Sequence, residues 1–126
     1  MSRKLLAIPV VVLLALTTAC NSRFTVDDID FSTLSDFQRE ILDDGIVMHS
    51  EYESAMLHTR DCYGEAGFEV GAMEISKGLL SFEAEISYEG LADPEAADRK
   101  ALAAIRQCDI EYSQIVGLVW TESLSG

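Results

Sequence analysis

The chain has 126 residues, with 22 acidic side chains against 9 basic ones and a formal charge of −13. That balance argues against nucleic acid as a partner, because phosphate binding needs a basic surface. Length allows one domain with a modest core.

The chain opens with Arg3 and Lys4, runs apolar from Leu5 to Leu16, and turns small and weakly polar at Thr17, Thr18 and Ala19. This is the order of an export signal, and the apolar run, broken by Pro9, is shorter than the roughly 20 residues needed to span a bilayer. Residues 1–19 are therefore expected to be removed. The stretch Leu16-Thr17-Thr18-Ala19-Cys20 resembles a lipobox, with Thr17 standing where a Leu is usual. Cys20 is expected to receive a diacylglyceryl group, with acyl chains such as palmitate, and to become the first residue of the mature protein. Each buried methylene contributes about 0.8 kcal/mol, so two or three chains hold a domain stably at a membrane. The expected location is the extracytoplasmic face of the cell membrane. Cleavage leaves 107 residues with seven bases against 22 acids, a formal charge of −15. With Cys20 acylated, Cys62 and Cys108 remain as an even pair in an oxidising compartment, and a disulfide between them is expected.

Residues 20–32 have no clear period and read as a lipidated tether, leaving 33–126 as a single domain. Ser35 with Gln38 resembles a capping box, and Leu34, Phe37 and Ile41 share a helical face until Asp43-Asp44-Gly45 ends the turn. Ser50 with Glu53 suggests a second capping box. Tyr52, Ala55, Met56, Thr59, Cys62, Tyr63 and Ala66 then follow at helical spacing, with Gly67 as the stop, predicting a helix over about residues 51–65. Beyond Gly67 the period changes to two: Phe68 and Val70, then Met73 and Ile75, suggest a strand bulged near Gly71 and Ala72. Lys77-Gly78 can turn the chain into a second strand, where Leu80, Phe82, Ala84, Ile86 and Tyr88 alternate with Ser81, Glu83, Glu85, Ser87 and Glu89. Asp93 as N-cap and Pro94 at the first helical position open a long last helix, striped by Ala97, Ala101, Ile105, Cys108, Tyr112, Ile115 and Val119. The expected fold is α+β: a small antiparallel hairpin sheet packed against two or three helices. Cys62 and Cys108 both lie on apolar stripes, so packing those stripes together brings the sulfurs into one layer.

Gln38, Ile41-Leu42-Asp43-Asp44-Gly45, Glu51-Tyr52-Glu53, Ala55, Cys62 and Ala66-Gly67, with Cys108 and Trp120, resemble a group of small secreted proteins and lipoproteins from actinobacteria. The resemblance implies export. Such proteins usually lack an assigned activity, so it brings no catalytic residue.

Several constellations bear on chemistry. Asp44, Gly45, Val47 and Glu51 match the fifth, sixth, eighth and twelfth positions of an EF-hand loop, but Leu42 then stands at the third, where calcium needs an oxygen. His49 and His58 are the two histidines, and His58 with Asp61 supplies two ligands where zinc needs more. No metal or cofactor is expected. No Gly-x-Ser-x-Gly elbow or phosphate-cradling loop is present, and Glu83 and Glu85 stand on the polar face of a strand, where carboxylates keep a surface wet. Trp120, with Val116, Leu118 and Val119, makes the end of the last helix apolar; core packing explains most of this, and a partner-binding end is the sharper reading. The function expected is a membrane-anchored, non-enzymatic binding or interaction module for an envelope protein, peptide or wall component. The alternatives are an envelope enzyme with a site of dispersed Asp, Glu, Tyr and His residues, and a structural surface protein with no small ligand.

Overall fold

The computed structural model describes residues 25–125. The expected signal peptide, Cys20 and the first residues of the expected tether lie outside the described residues. Four helices, α1 (Asp36–Leu42), α2 (His49–Glu65), α3 (Pro94–Tyr112) and α4 (Gln114–Ser125), accompany four short strands, β1 (Glu69–Val70), β2 (Glu74–Ser76), β3 (Leu79–Ser81) and β4 (Ala84–Glu85). The fold is α+β, with two small antiparallel ladders, β1–β4 and β2–β3.

The described chain opens with two 3-10 turns, Val26–Asp28 and Phe31–Thr33. The Asp28 carboxylate accepts the Thr25 N–H at 2.8 Å, and Asp30 accepts that of Ser32 at 3.1 Å. Val26, Ile29 and Phe31 pack against the core, so ordered structure begins within the segment expected to be a tether. These three apolar residues lack a helical or strand period, which is why the sequence pattern hides them.

Ser35 caps α1, its hydroxyl accepting the Gln38 N–H at 3.2 Å. The Gln38 side chain does not close the expected capping box; it turns into the core, where it is 1% exposed. Gln38 and Leu42 form the buried line of α1, continued by Leu34 just before its cap and flanked by the half-buried Phe37 and Ile41.

The second capping box also falls elsewhere. Helix α2 begins two residues earlier than expected, with Met48 as N-cap, and the Glu51 carboxylate accepts the Met48 N–H at 2.9 Å. Ser50 and Glu53 are therefore inside the helix. At the other end the stop is as expected: Gly67 adopts φ +104°, Gly67 N–H donates to Gly64 O at 3.1 Å, and Phe68 N–H donates to Tyr63 O at 3.0 Å. This is a Schellman motif, and its usual apolar contact is the Tyr63–Phe68 ring pair at 5.6 Å.

The two ladders are one interrupted hairpin. Residues pair as Glu69↔Glu85 and Val70↔Ala84, then as Glu74↔Ser81, Ile75↔Leu80 and Ser76↔Leu79. Residues 71–73 thus oppose only residues 82–83, a one-residue excess that constitutes the bulge expected near Gly71 and Ala72. It is pinned on both sides: Gly71 N–H donates to Glu83 O at 2.8 Å, and Arg60 Nε of α2 donates to Gly71 O at 2.6 Å. Because the bulge interrupts the ladder, the long strand expected over 80–88 appears as β3 and β4. Its alternation survives, with Leu80, Phe82, Ala84 and Ile86 half-buried while Ser81, Glu83, Glu85 and Ser87 are exposed. Lys77 at φ 53° and Gly78 at φ 80° make the two-residue turn, both in the positive-φ region that a tight hairpin requires.

Asp93 caps α3 through the Ala96 N–H at 3.1 Å, as its sequence predicts. The expected single long helix, however, breaks at Ser113, whose backbone sits at φ −138°, ψ −13°. Gln38 joins the broken ends. Its Nε2 donates to Ile110 O at 2.6 Å, near the end of α3, while its Oε1 accepts the N–H groups of Ile115 at 2.8 Å and Val116 at 3.0 Å, the first turn of α4. Ser35 adds a hydroxyl bond to Glu111 O. One buried amide thereby satisfies one carbonyl near the end of α3 and two of the N–H groups that the start of α4 leaves free.

The core consists of Leu34, Leu42, Val47, Tyr52, Ala55, Val116 and Val119. Helix α2 is its spine, packing on α3, α4, β1 and β3.

Candidate functional site

The expected sulfur pair is joined: Cys62 and Cys108 lie with Cα atoms 5.7 Å apart and sulfurs at 2.09 Å, linking α2 to α3. The following residue on each helix makes a second crosslink, Tyr63 Oη donating to Asp109 Oδ1 at 2.7 Å. Burial raises the Asp109 carboxyl above its ordinary range, partly offset by the Tyr63 hydrogen bond. Burial, and then the Asp109 carboxylate, push the Tyr63 phenol well above its usual value. A tyrosine held protonated by a carboxylate that it serves is a fastening rather than an acid–base pair poised near neutrality.

The histidines are not brought together. His58 is 4.7 Å from the Phe37 ring and 5.6 Å from Tyr112, with Nδ1 at 2.8 Å from Ser54 O and not on Asp61. His49 lies edge-on to Trp120 at 5.5 Å. Trp120 itself stacks on Tyr52 at 5.2 Å and 16°, and its Nε1 donates to Gly78 O at 2.8 Å, fastening α4 to the hairpin turn. Of the two readings of Trp120, core packing is the one the geometry carries. In the segment from Glu40 to Glu51, Leu42 is fully buried and the carboxylates of Asp44 and Glu51 accept the backbone N–H groups of Ile46 and Met48. Among the described residues, no three His, Cys, Asp or Glu side chains are placed to hold a metal ion. Glu83 and Glu85 share a cleft of about 180 Å³ with Glu69, and all three carboxylates are exposed on its acidic surface.

A different surface has the makings of a binding site. Glu53 and Leu57 of α2 and Met73, Ile75 and Leu80 of the hairpin line a groove of about 330 Å³. Ile75 and Leu80 are directly opposite, so both side chains stand on the sheet face turned toward α2. Helix α2 covers Leu80 but leaves Ile75 61% exposed and Leu57 41% exposed. The backbone is open there too. Next to a two-residue turn the Ile75↔Leu80 pair is the non-hydrogen-bonded kind, so the N–H and C=O of each point away from the partner strand. On the Leu80 side they meet Tyr52 Oη, which accepts the Leu80 N–H at 2.9 Å and lies 3.5 Å from its carbonyl. On the Ile75 side they face outward, along an edge that pairs with no other strand among the described residues.

The chain matches no family model, no curated protein and no solved structure. No helix of the described residues is long and apolar enough to cross a membrane. The site therefore rests on its own geometry: an apolar floor, the carboxylate of Glu53 at its rim, and a strand edge without a partner strand among the described residues, the kind of surface on which strand addition occurs. Sequence reading placed Met73 and Ile75 as the apolar partners of a strand and missed the groove. Period two identifies which residues share a face, and it carries no information on how far a helix covers that face.

Proposed function

We propose that this chain is a membrane-anchored lipoprotein of the extracytoplasmic face, acylated at Cys20, and that it acts as a non-enzymatic module binding an extended apolar segment of an envelope protein or peptide. The observation that carries the binding reading is the groove at Leu57, Met73, Ile75 and Leu80 beside the open edge of β2. Main-chain bonds to Ile75 supply affinity, and the groove selects apolar side chains at alternate positions of the bound strand. The scaffold behind it is fastened by the disulfide, the Tyr63–Asp109 bond and the Gln38 amide, which suits a surface that must keep its shape before its partner arrives. Anchoring is supported by the lipobox-like stretch ending at Cys20.

Two experiments test the two halves. Mass spectrometry of the mature N-terminus reads the anchor: a diacylglyceryl-modified Cys20 is expected, and an unmodified Cys20 or a cut elsewhere sinks it. A photo-crosslinking residue at Ile75, used in the tethered protein in its own envelope, reads the groove. It is expected to capture one reproducible partner that the same residue at Leu118, exposed on α4, does not. Identical captures from both positions, or none from Ile75, overturn the binding reading.

A further inference from the structure

The cations of this acidic chain are unevenly placed. Among the described residues, Arg39 is paired with Asp36 at 2.9 Å and Arg60 lies 3.9 Å from Asp61. Among the described residues Arg99, Lys100 and Arg106 form no ion pair, nor does Lys77 of the hairpin turn, and the first three are all exposed on α3. Arg99, Leu102, Ala103, Arg106 and Ile110 recur at spacings of three and four, so they share one face over about 17 Å of helix. Leu102 is 54% exposed and Ile110 is 40% exposed on that face, and Lys100 flanks it. The acids of α3 lie close by: Glu95 stands on the stripe four residues before Arg99, Asp98 and Asp109 at its margin accept the Tyr88 and Tyr63 hydroxyls at 2.8 and 2.7 Å, and Glu111 is half-buried, so among the described residues the outward face keeps three cations against the exposed carboxylate of Glu95. The opposite side of α3, at Ala101 and Cys108, is buried against the fold. The helix is thus amphipathic twice over, with an apolar inner stripe and an outer stripe that mixes arginines with uncovered aliphatic side chains.

We propose that this outer face of α3 docks on the anionic phospholipid surface to which the chain is tethered, an inference that rests on the lipid-anchored reading above. Charge selects the orientation. A chain with 22 acidic residues is repelled by an anionic bilayer on most of its surface, and with a Debye length of about 8 Å only the groups turned toward the membrane count. The α3 face is where unpaired cations concentrate, so turning it inward exchanges repulsion for attraction. Leu102 and Ile110 then reach the headgroup boundary between the arginines, the pattern of an interfacial helix. The tether enforces proximity: from Cys20 to Thr25 the chain extends at most about 18 Å, so the domain remains beside the surface and can settle on it. An acidic protein surface would satisfy the same cations, and the experiment separates the two.

The test uses the full chain as its own envelope produces it, with Ala103→Cys labelled with a fluorophore, on vesicles of phosphatidylcholine alone or with about 30 mol% phosphatidylglycerol and a headgroup-borne quencher. Quenching about threefold greater with phosphatidylglycerol is expected, lost in 1 M NaCl and lost with Arg99→Glu/Arg106→Glu. Flotation on phosphatidylcholine alone reads the anchor. A chain that floats there but is quenched equally on both vesicles, or whose quenching ignores charge reversal, overturns the docking while leaving the anchor standing. Floating only with phosphatidylglycerol, in a manner abolished by Arg99→Glu/Arg106→Glu, supports the docking and overturns the anchor; floating on neither overturns both. A change in fluorescence that follows protein concentration in place of lipid composition assigns the face to an acidic protein surface and also overturns the proposal.

Discussion

Gln38 does the work of two helix caps with one side chain. Its amide has a carbonyl oxygen for the two N–H groups at the start of α4 and an N–H for the carbonyl near the end of α3, so its orientation is dictated by its partners. Gln38→Leu keeps the volume and strands these buried groups, each costing about 1–3 kcal/mol when unsatisfied. A loss of about 3 kcal/mol in urea unfolding is expected, and a change below about 0.5 kcal/mol would mean that the break at Ser113 is held by something else. Asp109 makes a pH-dependent contribution of opposite character. Burial raises its folded-state value above 3.8, so the folded state binds this proton more tightly than the unfolded state does. Its favourable contribution is fully present below the unfolded value and is lost as pH rises through the folded one. Asp109→Asn cannot ionise and still accepts the Tyr63 hydroxyl. The decline in melting temperature from pH 4 upward is therefore expected to be shallower in this variant than in the natural chain, and parallel profiles would defeat the assignment.

Among the elements, α2 and α3 are joined most firmly, and the bond between them closes a stretch with a sequence separation of 46. Restricting the unfolded chain in this way contributes roughly 4 kcal/mol on a loop-entropy argument. Cys62→Ser, Cys108→Ser and the double change are expected to lower the melting temperature by similar amounts, because each removes the same crosslink. Additive losses would show that the cysteines act separately. The Tyr63–Asp109 bond, one residue further along both helices, keeps α2 and α3 in register in the reduced protein, so reduction is expected to lower stability without changing the helical content measured below the new transition.

At the scale of the whole molecule, 22 acidic residues face 9 basic ones, and only two ion pairs form among the described residues. Glu69 stands directly opposite Glu85 across the hairpin, a like-charge pair that costs stability. Screening therefore removes more repulsion than attraction. Raising NaCl from 0.05 to 0.5 M is expected to raise the melting temperature, and a fall would mean that attractive pairs dominate the folded state.

What the sequence determined by itself is what local patterns encode. Period two marked the inward side of the hairpin, Gly67 and Lys77-Gly78 marked chain reversals that need positive φ, Asp93-Pro94 marked the start of α3, and two apolar stripes bearing Cys62 and Cys108 placed the disulfide. Each of these depends on residues within one or two turns of each other, or on a stripe with a single buried side. Tertiary structure alone decided the rest. The stripe from Ala97 to Val119 has no Pro, and its one glycine, Gly117, lies a full turn beyond the break and inside α4, so no local stop signal stands at Ser113; the helix breaks where an amide 77 residues from Ile115 in the chain can satisfy the freed groups. Trp120 could have been an exposed anchor, and it packs half-buried against the core because Tyr52 and the Gly78 carbonyl meet it. The groove at Ile75 exists because α2 crosses the sheet over Leu80 and goes no further, and the coverage of one element by another is a property of their packing that neither segment's pattern contains.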